Sequence, residues 1–265
     1  MGTTTIWQVE AFNTATESEN KIHDDSVARG LGFRGGLVPG VDVYAYLTHP
    51  PVEQWGLAWL ERGSMHARFH QPVYDGEATT ITCAHINETT LELTATNARD
   101  EVCATATAML PSSALPPVGL DAYPRLPLPA DPPAASQTSL TPGTQLGALE
   151  HGFHADNAIA YLANVRETLG VYVDDRIAHP GWLLRDANYV LAANVRLGPW
   201  IHVGSEVQNL GVVADGARLS IRGAVLANYE RKGHELVELD LLMVADETRP
   251  VLHVHHTAIY RPRSA

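Results

Sequence analysis

Residues 111–142 read PSSALPPVGLDAYPRLPLPADPPAASQTSLTP and hold nine of the seventeen prolines in a chain of 265 residues. Proline lacks a backbone N–H and fixes φ, so this stretch can neither pair as a central strand nor run as a helix. It reads as an extended linker. At about 3.1 Å per residue in polyproline conformation, roughly thirty residues span a pair of domains, so the linker joins distant points. The division this predicts is an N-terminal unit over 1–112, a linker over 113–145 and a C-terminal unit over 146–265.

The same order of signals stands on either side. In the first half, His23 to Leu31 predicts a short helix, with Asp24, Asp25 and Ser26 at its start and Gly30 and Gly32 near its end. A second helix is predicted from Val41 to Leu47, stopped by His49-Pro50-Pro51. Strands follow at Ser64–Phe69, Ala78–Ile86, Leu91–Ala98 and Val102–Leu110, with Tyr74-Asp75-Gly76 among the turns between them. In the second half, helices are predicted over Asn157–Leu169 and Trp182–Ala193. Strands come next, at Trp200–Leu210, Ala217–Glu230, His234–Asp246 and Val251–Tyr260.

Landmarks of the two halves overlay: Gly32 on Gly170, Val38-Pro39-Gly40 on His179-Pro180-Gly181, and Pro72…Gly76 on Pro199…Gly204. The offsets are 138, 141, 127 and 128, which makes the second copy shorter after its long helix. A repeat of this size is a duplicated domain. A helix followed by an antiparallel run of strands implies an α+β unit, the helix packed on one face of a curved sheet. One such unit leaves a sheet edge open. Pairing two units edge to edge closes it, and the linker lets one chain do so.

Composition narrows the function. A hydrophobic fraction of 45% belongs to a chain with a real core. The apolar run Val237 to Ala245 is interrupted by Glu238 and Asp240, so no membrane span is expected, and MGTTTIWQVE lacks the features of a secretory signal. Cys83 and Cys103 lie in strand-like segments and read as buried thiols of a reducing, cytoplasmic compartment. A net charge of −12 argues against nucleic acid or an anionic membrane as partner, while leaving room for an anionic small molecule on a local basic cluster.

Chemistry concentrates in Glu17-Ser18-Glu19-Asn20-Lys21-Ile22-His23-Asp24-Asp25-Ser26-Val27-Ala28, followed by Gly32-Phe33 and Val38-Pro39-Gly40. This segment resembles the MaoC-like group of hotdog proteins, which includes the R-specific enoyl-CoA hydratases. Asn20, Ile22, His23, Ala28, Gly32, Phe33 and Gly40 stand at places matching the family motif, and Phe69-x-x-Pro72-Val73-x-x-Gly76 resembles its second-strand signature. The resemblance implies a double hotdog fold and syn addition of water across a 2,3-enoyl thioester, with an Asp and a His sharing the water. It implies a coenzyme A thioester as substrate, no permanently bound cofactor, and a homodimer of double hotdogs. His23 would act as acid and base, Asn20 and Ser18 would orient water or substrate, and the helix start at Gly40 would polarise the carbonyl.

The chain departs from the motif where it matters. The family Asp falls on Ser18, which cannot serve as a carboxylate base. Glu17 or Glu19 could replace it, Asp24 or Asp25 could serve, or the activity differs. A hotdog thioesterase, using such a carboxylate to activate water, and a non-catalytic acyl-ligand binder or subunit of a hetero-complex are the rival readings. In the second half, Asp156 falls at the Ser18 position, Tyr161 at the His23 position and Gly181 at the Gly40 position, so each half keeps one member of the dyad. Arg34 lies close to the motif and is a weak candidate for a cofactor phosphate. His253-x-His255 places two imidazoles on one strand face, but the sequence positions no acidic or Cys partner, and no metal is expected.

Overall fold

The computed structural model describes residues 4–113, 116 and 118–263; Ala114, Leu115 and Pro117 of the predicted linker lie outside them. The first half runs β1 (Thr4–Glu10), a 3-10 turn (Lys21–His23), α1 (Asp25–Gly30), α2 (Gly40–Trp55), α3 (Leu57–Arg62), β2 (Ser64–Phe69), β3 (Ala78–Asn87), β4 (Thr90–Thr96) and β5 (Val102–Met109). The second runs β6 (Leu149–Gly152), α4 (Ala155–Asn164), α5 (Val171–Asp174), α6 (Pro180–Asn194), β7 (Ile201–Asn209), β8 (Arg218–Arg231), β9 (His234–Ala245) and β10 (Arg249–Arg261). The ten strands form one sheet in the order β1-β3-β4-β5-β2-β7-β10-β9-β8-β6, with every neighbouring pair antiparallel.

The two halves meet where β2 pairs with β7, Ser64 opposite Gln208 and Arg68 opposite Gly204. This joins two five-stranded sheets and, among the described residues, leaves only the outermost strands, β1 and β6, with free edges. α2 and α6 pack against each other on one face. β5 presents Ala104, Ala106 and Ala108 at alternate positions toward the core, small side chains that make room for α2.

α2 runs through Pro50 and Pro51 instead of stopping before them. An interior proline costs a helix about 3 kcal/mol, whereas full burial of each large apolar side chain contributes about 1.5–3 kcal/mol. Every residue from Val41 to Val52 is buried, Tyr44, Tyr46 and Leu47 completely, so packing outweighs the proline penalty. α4 ends at Asn164, earlier than its predicted end at Leu169. β1, α3 and β6 had no sequence signal strong enough to predict.

The register of the repeat differs from the glycine and proline landmarks. The Leu37–Tyr74 bridge is matched by Ile177–Ala214, and the Val38 N–H to Val73 O bond by Ala178 N–H to Val213 O, a constant offset of 140. Tyr74-Asp75-Gly76 therefore corresponds to Ala214-Asp215-Gly216, and the second copy is not shorter there. The counterpart of Gly40 is Pro180, the first residue of α6, and not Gly181. Gly and Pro recur at turns of many kinds, whereas paired backbone bonds fix register one residue at a time.

The proline-rich stretch crosses the second half along the outer face of its sheet. Val118, Leu120 and Tyr123 pack on Leu242 and Val244 of β9. Further on, Leu126 bridges Gly147, Ala134 bridges Arg196 and Gln145 bridges Ala224, before the chain enters the edge strand β6. Among the described residues, no helix is long and apolar enough to cross a membrane. Cys83 and Cys103 are buried and unpaired.

Candidate active site

The polar loop is built around the carbonyl of His23. Asn13 Nδ2 donates to His23 O (3.0 Å), and Gly36 lies so close that a Cβ there would overlap this carbonyl. Asp25 accepts from Gly36 N–H (2.8 Å), closing the segment 34–37 over the turn. Asp24 caps α1, accepting from Ser26 N–H (2.9 Å), Val27 N–H (3.1 Å) and the Ser26 hydroxyl (2.6 Å). Across the domain junction, Asn20 Nδ2 donates to Trp200 O (3.0 Å) and its Oδ1 accepts from Trp200 N–H (3.2 Å). One side chain thus ties the loop to the segment entering β7.

His23 follows from this frame. Its Nδ1 lies 2.7 Å from Leu37 O, and a carbonyl can only accept, so Nδ1 carries the proton. Nε2 is then the unprotonated nitrogen of the neutral ring and accepts from Asn20 Nδ2 at 3.4 Å. Burial pushes the imidazole below its ordinary value of 6.5, opposed by the bond to Leu37 O and the charge of Asp42. The ring is therefore neutral at physiological pH, with one nitrogen free to take a proton.

Two cavities meet at this ring. An inner one of about 230 Å³ is lined mainly by apolar groups, among them Ile22, Phe33, Val43, Phe69, Val73 and Ile259. An outer groove of about 900 Å³ runs past Ser18, Glu19, Arg185, Tyr189 and Arg196. His23, Asn20, Pro39, Trp200 and Asn188 border both. The inner cavity also abuts the start of α2, where Pro39 supplies no side-chain cap. Asp42 and Val43 N–H donate to Pro39 O, whereas the N–H groups of Gly40 and Val41 have no partner among the described residues, and they carry the positive end of the helix dipole. Gly40 is needed there because a Cβ would stand 2.9 Å from Nδ1 of His202. His202 is buried, its Nε2 is 2.9 Å from Ser205 Oγ, and that hydroxyl is 3.0 Å from His256 Nδ1. Burial holds both imidazoles low, His256 at about 3, so the chain of three is uncharged.

Of the residues singled out in the sequence, His23, Asn20 and Gly40 come together at the inner cavity. Ser18 lines only the outer groove and donates its hydroxyl to Asn20 O (3.1 Å), shaping the loop with no hydrogen bond to His23. Glu17 and Glu19 are exposed on the groove wall. Asp24 and Asp25 are committed to the helix cap and to Gly36, and their carboxyls are held below the usual range by those bonds. No carboxylate of the described residues bonds to His23.

Arg34 is engaged elsewhere, paired with Glu77 at 3.0 Å and lying 4.2 Å over the Tyr74 ring. Asp156 faces solvent and pairs with Arg176 at 2.9 Å. Tyr161 is buried against Gly181 and Ala45 beneath the Arg185 guanidinium, which lies 4.3 Å from the ring. Asn188 and His202 were not foreseen. Asn188 lies on α6 with its Oδ1 buried and unpartnered, and it reaches the site only because the halves pair. Nothing in the local sequence of either residue marks it.

No family model matches the chain, and no curated protein matches it in sequence. Solved structures do match over its whole length. A MaoC-domain dehydratase from Chloroflexus aurantiacus superposes with a TM-score of 0.63 at 13% identity, covering 100% of this chain and 96% of that one. A further MaoC-like dehydratase gives 0.64 at 13% identity, covering 98% of each. A double-hotdog protein of Mycobacterium tuberculosis gives 0.60 at 16% identity, covering 97% and 96%. The fold is a double hotdog. In its terms, the described cavities lie against the central helix of the first hotdog, at its junction with the second.

Proposed function

We propose that this double hotdog is a hydratase/dehydratase of acyl thioesters, working at His23 alone of the two sites. The observation that carries the reading is the unprotonated Nε2 of His23, bordering an apolar cavity that also meets the uncapped start of α2. In hydration, a water oxygen adds to C3 of a 2,3-enoyl thioester while Nε2 takes the water proton. Negative charge moves to the thioester oxygen, beside the N–H groups at Gly40. The imidazolium then returns its proton to C2, completing syn addition with the balance closed. Dehydration is the same path in reverse.

One histidine suffices for both proton transfers. The acceptor role of the missing carboxylate, holding the water, falls to the carboxamide of Asn188, while Asn20 aligns the imidazole. The acyl chain enters the inner cavity, which at about 230 Å³ is small beside the outer groove of about 900 Å³. That favours short to medium chains. The carrier arm, coenzyme A or another thiol, lies along the outer groove, past Arg185, which is paired with Asp42, and Arg196, which is paired with Asp131. No permanent cofactor is required, and the setting we propose is the cytoplasm, with the chain acting as a homodimer of double hotdogs.

The test is incubation of the purified protein with a series of enoyl-CoAs, following loss of the conjugated thioester absorbance. Turnover that disappears in His23→Ala supports the proposal. Release of free thiol without loss of the alkene would mark a thioesterase instead, and no reaction on any chain length by the folded protein would overturn it.

A further inference from the structure

On the opposite face of the second sheet, far along the chain from the polar loop, four donor groups converge. His253 and His255 project from the same face of β10, two residues apart. β10 pairs with β9 so that His255 stands directly opposite Asp240. Asp240 Oδ1 lies 2.6 Å from His253 Nε2 and 3.3 Å from His255 Nε2. The linker lays Tyr123 over the group, its hydroxyl 3.1 Å from Asp240 Oδ2 and 3.0 Å from His253 Nε2. The acidic partner that the sequence did not position thus comes from the neighbouring strand.

We propose that Asp240, His253 and His255 form a binding site for a divalent transition-metal ion, zinc above all, with Tyr123 or a water in the fourth position. Two His nitrogens and one carboxylate are a donor set that suits borderline ions such as Zn²⁺. Two ligands each about 2.0–2.1 Å from a tetrahedral zinc stand about 3.4 Å apart. The Asp240–His255 separation already matches, and the three ligating atoms lie within 4.8 Å of one another. The Asp240–His253 pair must open by less than an ångström. The site is partly buried beneath the linker, which supplies Tyr123 and packs Val118 and Leu120 nearby. A bound ion would therefore fasten the proline-rich segment to the sheet it crosses.

The experiment is isothermal titration of the full chain, freed of metal with a chelator, with ZnCl₂. It is repeated on His255→Ala, in which the Tyr123, Asp240 and His253 hydrogen bonds remain. One saturable site is expected, weakened at least about tenfold by the variant. Co²⁺ in place of Zn²⁺ should give the visible absorption of a tetrahedral complex, absent in His255→Ala. Trypsin cleavage after Arg125, two residues beyond Tyr123, should slow several-fold when Zn²⁺ is bound to the parent and not to the variant. Absence of saturable binding overturns the proposal, as does binding of equal strength in His255→Ala, which would assign the ion to other histidines.

Discussion

The two helix starts face different surroundings although the halves share one register. At α2 the residue before the helix is Pro39, which cannot cap, and the adjoining space is a cavity bordered by His23. At α6 the corresponding residue is His179, whose Nδ1 accepts from Gly181 N–H at 3.0 Å. His179 in turn faces Glu167 through Nε2 at 3.4 Å, and Glu167 also accepts from His49 Nδ1 (2.9 Å), Thr168 N–H and Leu169 N–H (2.7 Å each). Tyr161 and Tyr172 fill the remaining space. One half leaves a helix terminus open to a ligand; the other satisfies it internally and packs the place solid. On the proposed function, one helix terminus serves the site and its counterpart is structure.

The largest effect that would sharpen this contrast is on turnover. His23→Ala should lower kcat about 10²–10⁴-fold, the usual contribution of a general acid–base group, with little change in thermal midpoint. Tyr161→Phe should leave kcat within about twofold, since its hydroxyl has no hydrogen-bond partner. Equal losses from both substitutions in an enoyl-CoA assay would break the assignment of one working site.

Stability should show the reverse. Glu167 is almost fully buried with four donors around it, so Glu167→Ala should cost about 3–5 kcal/mol by urea unfolding, as for other broken buried pairs. Burial alone would raise this carboxyl, yet the bonds from His179 and His49 hold it well below the usual range. Its contribution is therefore full above the unfolded value of about 4.3 and is lost as pH falls from there. The parent should lose stability on acidification more steeply than Glu167→Gln. Parallel slopes would show that the second site is held by packing alone.

How far the sequence carried is clearest at individual positions. β2 was predicted with its observed ends, because Ser64–Phe69 alternates between buried and open faces. The edge pairing followed from needing to close a sheet edge. His23 and Asn20 were legible because local spacing sets a turn and its cap. Asn188 was not, because its neighbour in space is 165 residues away in the chain and only the β2–β7 pairing brings the halves together. His179 was taken for part of a landmark, one residue out of register, since a cap is recognisable only once the helix start is known. Asp240 was likewise invisible as a partner of His253 until β9 and β10 were aligned.

A smaller effect separates the two helix starts directly. A Cβ at Gly40 would stand 2.9 Å from His202 Nδ1, and one at Gly181 would stand 2.6 Å from Ala45 Cβ and against the Tyr161 hydroxyl. Each Ala substitution overpacks a filled space and should cost about 1–3 kcal/mol. Only Gly40→Ala should also lower kcat/KM, because it alone displaces backbone at the open terminus. If Gly181→Ala reduces kcat/KM as much, with both proteins folded, the second terminus takes part in binding after all.

The smallest effect is a displacement along the pH axis. His23 must be neutral to accept a proton, and burial lowers its ionisation from 6.5, with Leu37 O and Asp42 only partly offsetting this. Because the folded value lies below the unfolded one, the neutral form persists as pH falls through 6.5 and is lost only beyond the lowered value. The acid limb of kcat/KM should therefore have its midpoint below 6.5. Tyr161, which the sequence set opposite His23, is driven by burial well above its ordinary value of 10 and can supply no base near neutrality. Replacing Asp42 by Asn removes the one charge that supports the imidazolium and should move the limb further toward acid. A midpoint at or above 6.5 in the parent, or one that moves the other way in Asp42→Asn, would place the catalytic proton on a group other than His23.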